Sequence, residues 1–268
     1  MNKAKNRLIS NSQLFCLLTV SALTHLFFLR SLQVTAWLTE SIVSVLLCFI
    51  AYGLQKAMQK KRLTVLRRLA ALLLPILAAD TVRELLLFAE RAAYHEASLA
   101  AVLLLSAATA VYAASLRLEA IARFSFLCAV YTALVLTVAV WITIGKTTPR
   151  LPALDAAWRP DGYRLLECCS MPATWLLCAE NSGSPRGRTL AASVLVPPAV
   201  TAVFLVLCTG LLGAAAAVYP YPVFVLYQLC VGKTFSGMDM LYISSALGCV
   251  TVKCAVLLYL FRRELLRR

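Results

Sequence analysis

Charge is what this sequence has least of. Only 14% of its 268 residues are charged and just 12 are acidic, whereas ordinary soluble domains carry roughly a quarter charged residues. The longest polar stretch runs only from about Gly145 to Arg164, which excludes a separate water-soluble domain. Histidine is nearly absent, with His25 and His95 far apart in the chain, and a zinc site needs several close ligands. The ten cysteines include no CxxC, and most sit in apolar runs, where a free thiol packs as a small hydrophobe. A disulfide among Cys168, Cys169 and Cys178 is a weakly signalled alternative. There is no Gly-rich phosphate loop, no Ser/His/Asp arrangement and no HExxH. Asp80 and Asp239 lack the context of an intramembrane protease. The expectation is a non-enzyme, with no catalytic residue, metal or cofactor.

What the chain does have is apolar length. Hydrophobic residues make up 61% of it, and its mean hydropathy is +0.81. A membrane helix needs about 20 predominantly apolar residues. Eight segments qualify, roughly 10–29, 35–57, 66–90, 97–116, 120–145, 163–180, 190–218 and 236–261. The expected fold is an all-α polytopic membrane protein forming a single integral membrane domain over residues 1–268. Leu26-Phe27-Phe28-Leu29-Arg30 is too bulky for a signal-peptide cleavage site, so the first run is expected to be a retained span. Between the seventh and eighth segments, Pro220 and Pro222 stop the helix. The stretch after them reads as amphipathic, with tyrosines suited to the membrane interface.

The formal net charge is +14. Its basic residues gather at helix ends, which points to anionic lipid rather than nucleic acid. With the N-terminus inside and sides alternating, seventeen Lys and Arg lie inside and seven outside. Arg83 and Lys253 fall within spans. This bias fits eight spans with both termini cytoplasmic.

Ionisable groups inside spans cost about 2.5–3.5 kcal/mol on insertion scales and normally face the bundle interior. Asp80, Arg83 and Glu84 share one face of the third span through spacings of three and four. They read either as the polar lining of a solute or ion path, or as an internal ion pair that locks helices. Asp239 opens the last span, where it fits a helix N-cap. Lys253 lies mid-span and must snorkel or meet an acidic partner. Asp80, Glu84 and Glu167 are the acidic candidates within spans. His25, Ser21 and Thr24 form a polar patch in the first span. Pro75, Pro172 and Pro197-Pro198 free backbone carbonyls, as in plain kinks or in the broken helices of transporters.

Several short motifs recur in a recognisable order. Ile9-Ser10-Asn11-Ser12-Gln13-Leu14-Phe15 opens the first span, and Ala36-Trp37-Leu38 the second. Val82-Arg83-Glu84-Leu85 lies in the third, and Leu118-Glu119-Ala120-Ile121-Ala122-Arg123-Phe124 precedes the fifth. Tyr219-Pro220 leads to Phe235-Ser236-Gly237-Met238-Asp239-Met240-Leu241-Tyr242-Ile243 at the last. This series resembles the spore germination permease family, the B subunits of nutrient germinant receptors in endospore-forming bacteria. That family is related to amino acid/polyamine/organocation transporters with the LeuT-type fold.

The resemblance implies a sensing subunit in the inner spore membrane that binds a small nutrient, typically an amino acid, and works with receptor A and C subunits. The family has ten spans, so eight would form an incomplete LeuT-type bundle. Its ligand lies between broken first and sixth helices. By position, Ser21 and Thr24, with Ser170, Met171, Pro172 and Thr174, would face that pocket. Asp80, Arg83, Glu84, Asp239 and Lys253 would be gating or structural charges. A secondary amino acid transporter and a non-binding membrane scaffold stay open beside this reading.

Overall fold

The computed structural model describes residues 9–29, 34–58, 64–90, 99–147, 168–178, 187–232 and 239–266. Among these residues every regular element is helical. In chain order they are α1 (Asn11–Phe27), α2 (Val34–Met58), α3 (Thr64–Phe88), α4 (Leu99–Ser115) and α5 (Leu118–Ile144). Then come α6 (Ser170–Cys178), α7 (Gly187–Leu212), a 3-10 turn (Gly213–Ala217), α8 (Pro222–Tyr227) with a π turn (Gln228–Gly232), and α9 (Asp239–Leu265). Each apolar segment of the sequence holds one of the longer helices or, for 163–180, the short α6. Residues 163–167, with Glu167, lie outside the described residues. So do His95, the polar stretch 148–164 and the motif residues 235–238.

Four helices are long and apolar enough to cross a membrane: Val34–Gln55, Leu118–Ile144, Gly187–Leu212 and Asp239–Leu265. The others fall short for visible reasons. At 1.5 Å per residue, the 17 residues of α1 reach about 25 Å, less than the roughly 30 Å of a hydrocarbon core. The third helix has the length but carries Arg67, Arg68, Asp80, Arg83 and Glu84. Large apolar side chains point outward, among them Trp141 at 82% exposure and Phe49 at 66%. Water would penalise such a surface, and acyl chains would not. The architecture is that of an all-α membrane protein. All ten cysteines are free thiols, so Cys168, Cys169 and Cys178 are not cross-linked.

The two helices nearest the chain ends form the centre. α9 packs against α1, α3, α4 and α5, while α1 also packs against α5 and α7. α2 packs against α6 and α7. α1 starts at a capping box: Gln13 N–H donates to Ser10 Oγ at 3.2 Å, and Ser10 N–H donates to Gln13 Oε1 at 3.1 Å. The Ser-x-x-Gln portion of the opening motif thus satisfies two orphan amides of the helix start.

The tyrosine-rich segment after α7 departs from the sequence expectation. Tyr219 is exposed, but Tyr221 and Tyr227 are fully buried, so these two rings face the bundle rather than its surface. Phe88 is the reason. Its ring meets Tyr221 at 5.1 Å and Phe224 at 5.3 Å, both edge-on. Tyr242 packs against Phe27 at 5.0 Å and Tyr227 at 5.4 Å. Edge-to-face rings gain about 0.5–1.5 kcal/mol beyond area burial, which draws the segment inward. Tyr221 takes a left-handed conformation (φ 57°) that turns the chain into Pro222, the first residue of α8. Burial pushes the Tyr227 phenol up to about 12.

Candidate functional site

The site is a partly open cavity of about 90 Å³ lined by α1, α2, α6, α7 and α9 and by Cys168 just before α6. That is room for about three waters, or for one small solute. Its polar wall includes Ser21 and His25 from α1, Glu40 and Ser44 from α2, Ser170 from α6, and Lys253 from α9.

α9 delivers the cation. Lys253 is 2% exposed, and its Nζ donates to Thr24 Oγ1 at 3.3 Å. Thr24 in turn donates to the Ser21 carbonyl at 2.7 Å, which ties the lysine to the α1 wall. α2 delivers the anion. Glu40 Oε2 lies 3.2 Å from His25 Nε2, a contact that is ionic only when His25 is protonated. The cavity wall therefore brings together a carboxylate, an imidazole and a lysine amine.

α6 contributes Ser170 and Met171, which line the cavity. The helix is held in place by Trp175, whose Nε1–H donates to Gln55 Oε1 at 3.0 Å, and by Cys168 Sγ, which donates to the Glu40 carbonyl at 3.5 Å. α7 adds Val194, Pro197, Pro198 and Thr201. The two prolines leave the Ser193 and Val194 carbonyls without their usual i+4 donors.

The six expected ligand residues are partly gathered here. Ser21, Ser170 and Met171 line the cavity. Thr24 stands behind it, through Lys253. Pro172 and Thr174 are buried but lie outside the described lining, and Thr174 Oγ1 donates to the Ser170 carbonyl at 2.7 Å. Lys253, expected as a structural or gating charge, is part of the wall. Asp80, Arg83 and Glu84 are not among the described lining residues; Arg83 Nη1 meets Asp80 Oδ1 at 3.3 Å on α3 itself. Asp239 stays local to the start of α9, accepting from Met240 N–H at 3.1 Å.

Glu40 corrects the sequence reading, which counted only Asp80, Glu84 and Glu167 as acidic groups within spans. It sits in the second turn of α2, 9% exposed, inside the predicted segment 35–57. The signal was available. A carboxylate flanked by Thr39 and Ser41 in a span is as costly as Asp80, and it lay in plain sequence.

No family model, no curated protein and no solved structure matches this chain.

Proposed function

We propose that this chain binds a small zwitterionic nutrient, an amino acid, in the cavity between α1, α2, α6, α7 and α9. The carrying observation is that a buried Lys253 and a buried Glu40 line one small cavity. A free α-amino acid offers a carboxylate and an ammonium on one carbon. Its carboxylate suits the Lys253 ammonium. Its ammonium suits Glu40, with the hydroxyls of Ser21 and Ser44 beside it. The small volume favours a compact side chain.

We read the chain as the membrane-embedded sensing subunit of a spore germinant receptor. It would cross the inner spore membrane about eight times with both termini cytoplasmic, in an incomplete LeuT-type bundle, and act with receptor A and C subunits. The motif series supports this assignment. The charge bias supports the orientation, as does the meeting of Arg117, Arg262 and Arg263 at one end of the bundle and of Phe27, Phe88 and Tyr242 at the other. Binding would shift the bundle between two conformations by as much as the ligand's affinity for them differs. A secondary transporter is the second reading, favoured by the protonatable His25–Glu40 pair in the cavity wall.

The test is a panel of tritiated amino acids against the detergent-purified chain in a scintillation proximity assay. At least one small neutral amino acid is expected to bind, and Glu40→Gln to weaken it at least tenfold. Binding of none, or equal binding by the variant, would refute the site. Loss of the chain should also abolish germination on the same amino acid. Uptake by proteoliposomes would move the assignment to transport.

A further inference from the structure

α2 and α7 pack against each other and leave a slot on the outer side of their contact. Trp37, Ile42 and Leu46 from α2 and Leu195, Pro198 and Ala199 from α7 line it, and its volume is about 380 Å³. None of its described lining residues is charged, and Ser41 alone among them bears a hydroxyl. Ile42, Leu46 and Leu195 are each more than half exposed, so the slot opens away from the core. Both helices are long and apolar enough to cross a membrane, which stands the slot in the hydrocarbon layer. From Trp37 to Leu46 it runs about 14 Å at the rise of an α-helix, against roughly 15 Å for one leaflet's half of a hydrocarbon core. Val45, midway along the apolar stretch Val34–Gln55, lines its inner end.

We propose that this slot holds one acyl tail of a membrane phospholipid, with the glycerol end beside Trp37. Width decides between a tail and a partner's helix. Spread over its length, the volume gives a channel roughly 6 Å across, whereas an α-helix with its side chains is about 10–12 Å wide. A polymethylene tail is thinner and bends to follow the walls. An unfilled slot would strip its lining of contacts, and the tails of the bilayer are what is at hand to restore them. Tryptophan joins an apolar ring to a polar N–H and suits the membrane interface, so Trp37 fits the end where tail gives way to headgroup. The occupant also bears on the neighbouring cavity, because Trp37, Ser41 and Pro198 line both spaces. The tail backs the single layer of side chains between the polar cavity and the membrane. The seat itself does not rest on the nutrient reading.

The experiment uses the full chain reconstituted in phosphatidylcholine doped with a phosphatidylcholine that carries a diazirine in one tail. The protein is extracted into detergent, washed and irradiated, and labelled peptides are mapped by mass spectrometry. The outward face of α5, with Leu127, Leu134 and Trp141 exposed, is the control for ordinary boundary lipid. Before washing, both regions are expected to carry label. After washing, the slot should retain at least about fivefold more label than the α5 face. Ala199→Trp fills the slot from an exposed position and should cut the retained slot label about tenfold, leaving the unwashed α5 label unchanged. Equal wash-out from the two faces, or a slot label that Ala199→Trp leaves intact, would overturn the proposal. So would absence of slot label before washing, and a disulfide between copies formed by Ala199→Cys would then give the slot to a second copy of the chain. Should Ala199→Trp not fold, Leu46→Ala/Leu195→Ala opens the exposed rim of the slot and should cut the retained label in its place; an unchanged label overturns the seat.

Discussion

Replacing Lys253 with methionine separates a binding lysine from a structural one, because the two roles predict opposite changes in stability. A lysine at the middle of a membrane helix costs about 2.5–3.5 kcal/mol. Its hydrogen bond to Thr24 Oγ1 returns about 1.5–3 kcal/mol. Methionine keeps most of the side-chain volume and removes both terms, and Glu40 keeps His25 at 3.2 Å. The melting temperature in detergent should hold or rise. Ligand affinity should move the other way. Truncating one member of a buried charge pair costs about 2–5 kcal/mol, or between about 30-fold and several thousand-fold in Kd. Both numbers come from one preparation, by a dye-based melt and a scintillation proximity titration. If Lys253 were instead an ionic lock between helices, breaking it would cost about 3–5 kcal/mol, a fall of roughly 10 °C or more. That fall, together with unchanged affinity, would refute the argument.

Two further predictions concern what positions the site. Trp175→Phe strands the Gln55 amide and should cost about 1–3 kcal/mol with weaker ligand binding, whereas Trp175→Phe/Gln55→Leu should recover most of the stability; thermal melts of the three variants check this. Tyr227→Phe removes a buried hydroxyl that has no partner among the described residues and should stabilise by about 1 kcal/mol at pH 8. The folded chain holds the Tyr227 proton to about pH 12, while an unfolded phenol releases it near pH 10. Wild-type stability should therefore be intact below pH 10 and fall by about 1.4 kcal/mol per pH unit above it. The gap in melting temperature between variant and wild type should widen from pH 8 to pH 11.

Helix positions were legible because a bilayer imposes a minimum apolar length. The segment expected at 120–145 is the helix Leu118–Ile144, and that expected at 35–57 is Val34–Met58. Rotation about each helix axis was not legible. Hydrophobicity is nearly uniform around α1 and α5, so no stripe reveals which face meets which neighbour. The first and sixth segments were expected to supply Ser21 and Ser170, and both stand in the cavity wall. Glu40 was hidden in a run read only for its apolar character. The tyrosines after α7 were misread because Tyr and Pro at a span end suit an interface as well as a plug. Only the position of Phe88, some 130 residues earlier in the chain, decides between the two.

The bond between Lys253 and Thr24 joins residues 229 positions apart. At bacterial or eukaryotic elongation rates, roughly ten to fifty seconds separate the synthesis of its two ends. During that interval the hydroxyl-rich face of the first helix has no lysine to receive. The nascent chain must shelter it against the translocation machinery or against helices made in between. Ribosome arrest at successive lengths would show α1 becoming protease-resistant only after α9 emerges. Biogenesis of the pocket is in this sense a timed event, closed only when α9 arrives.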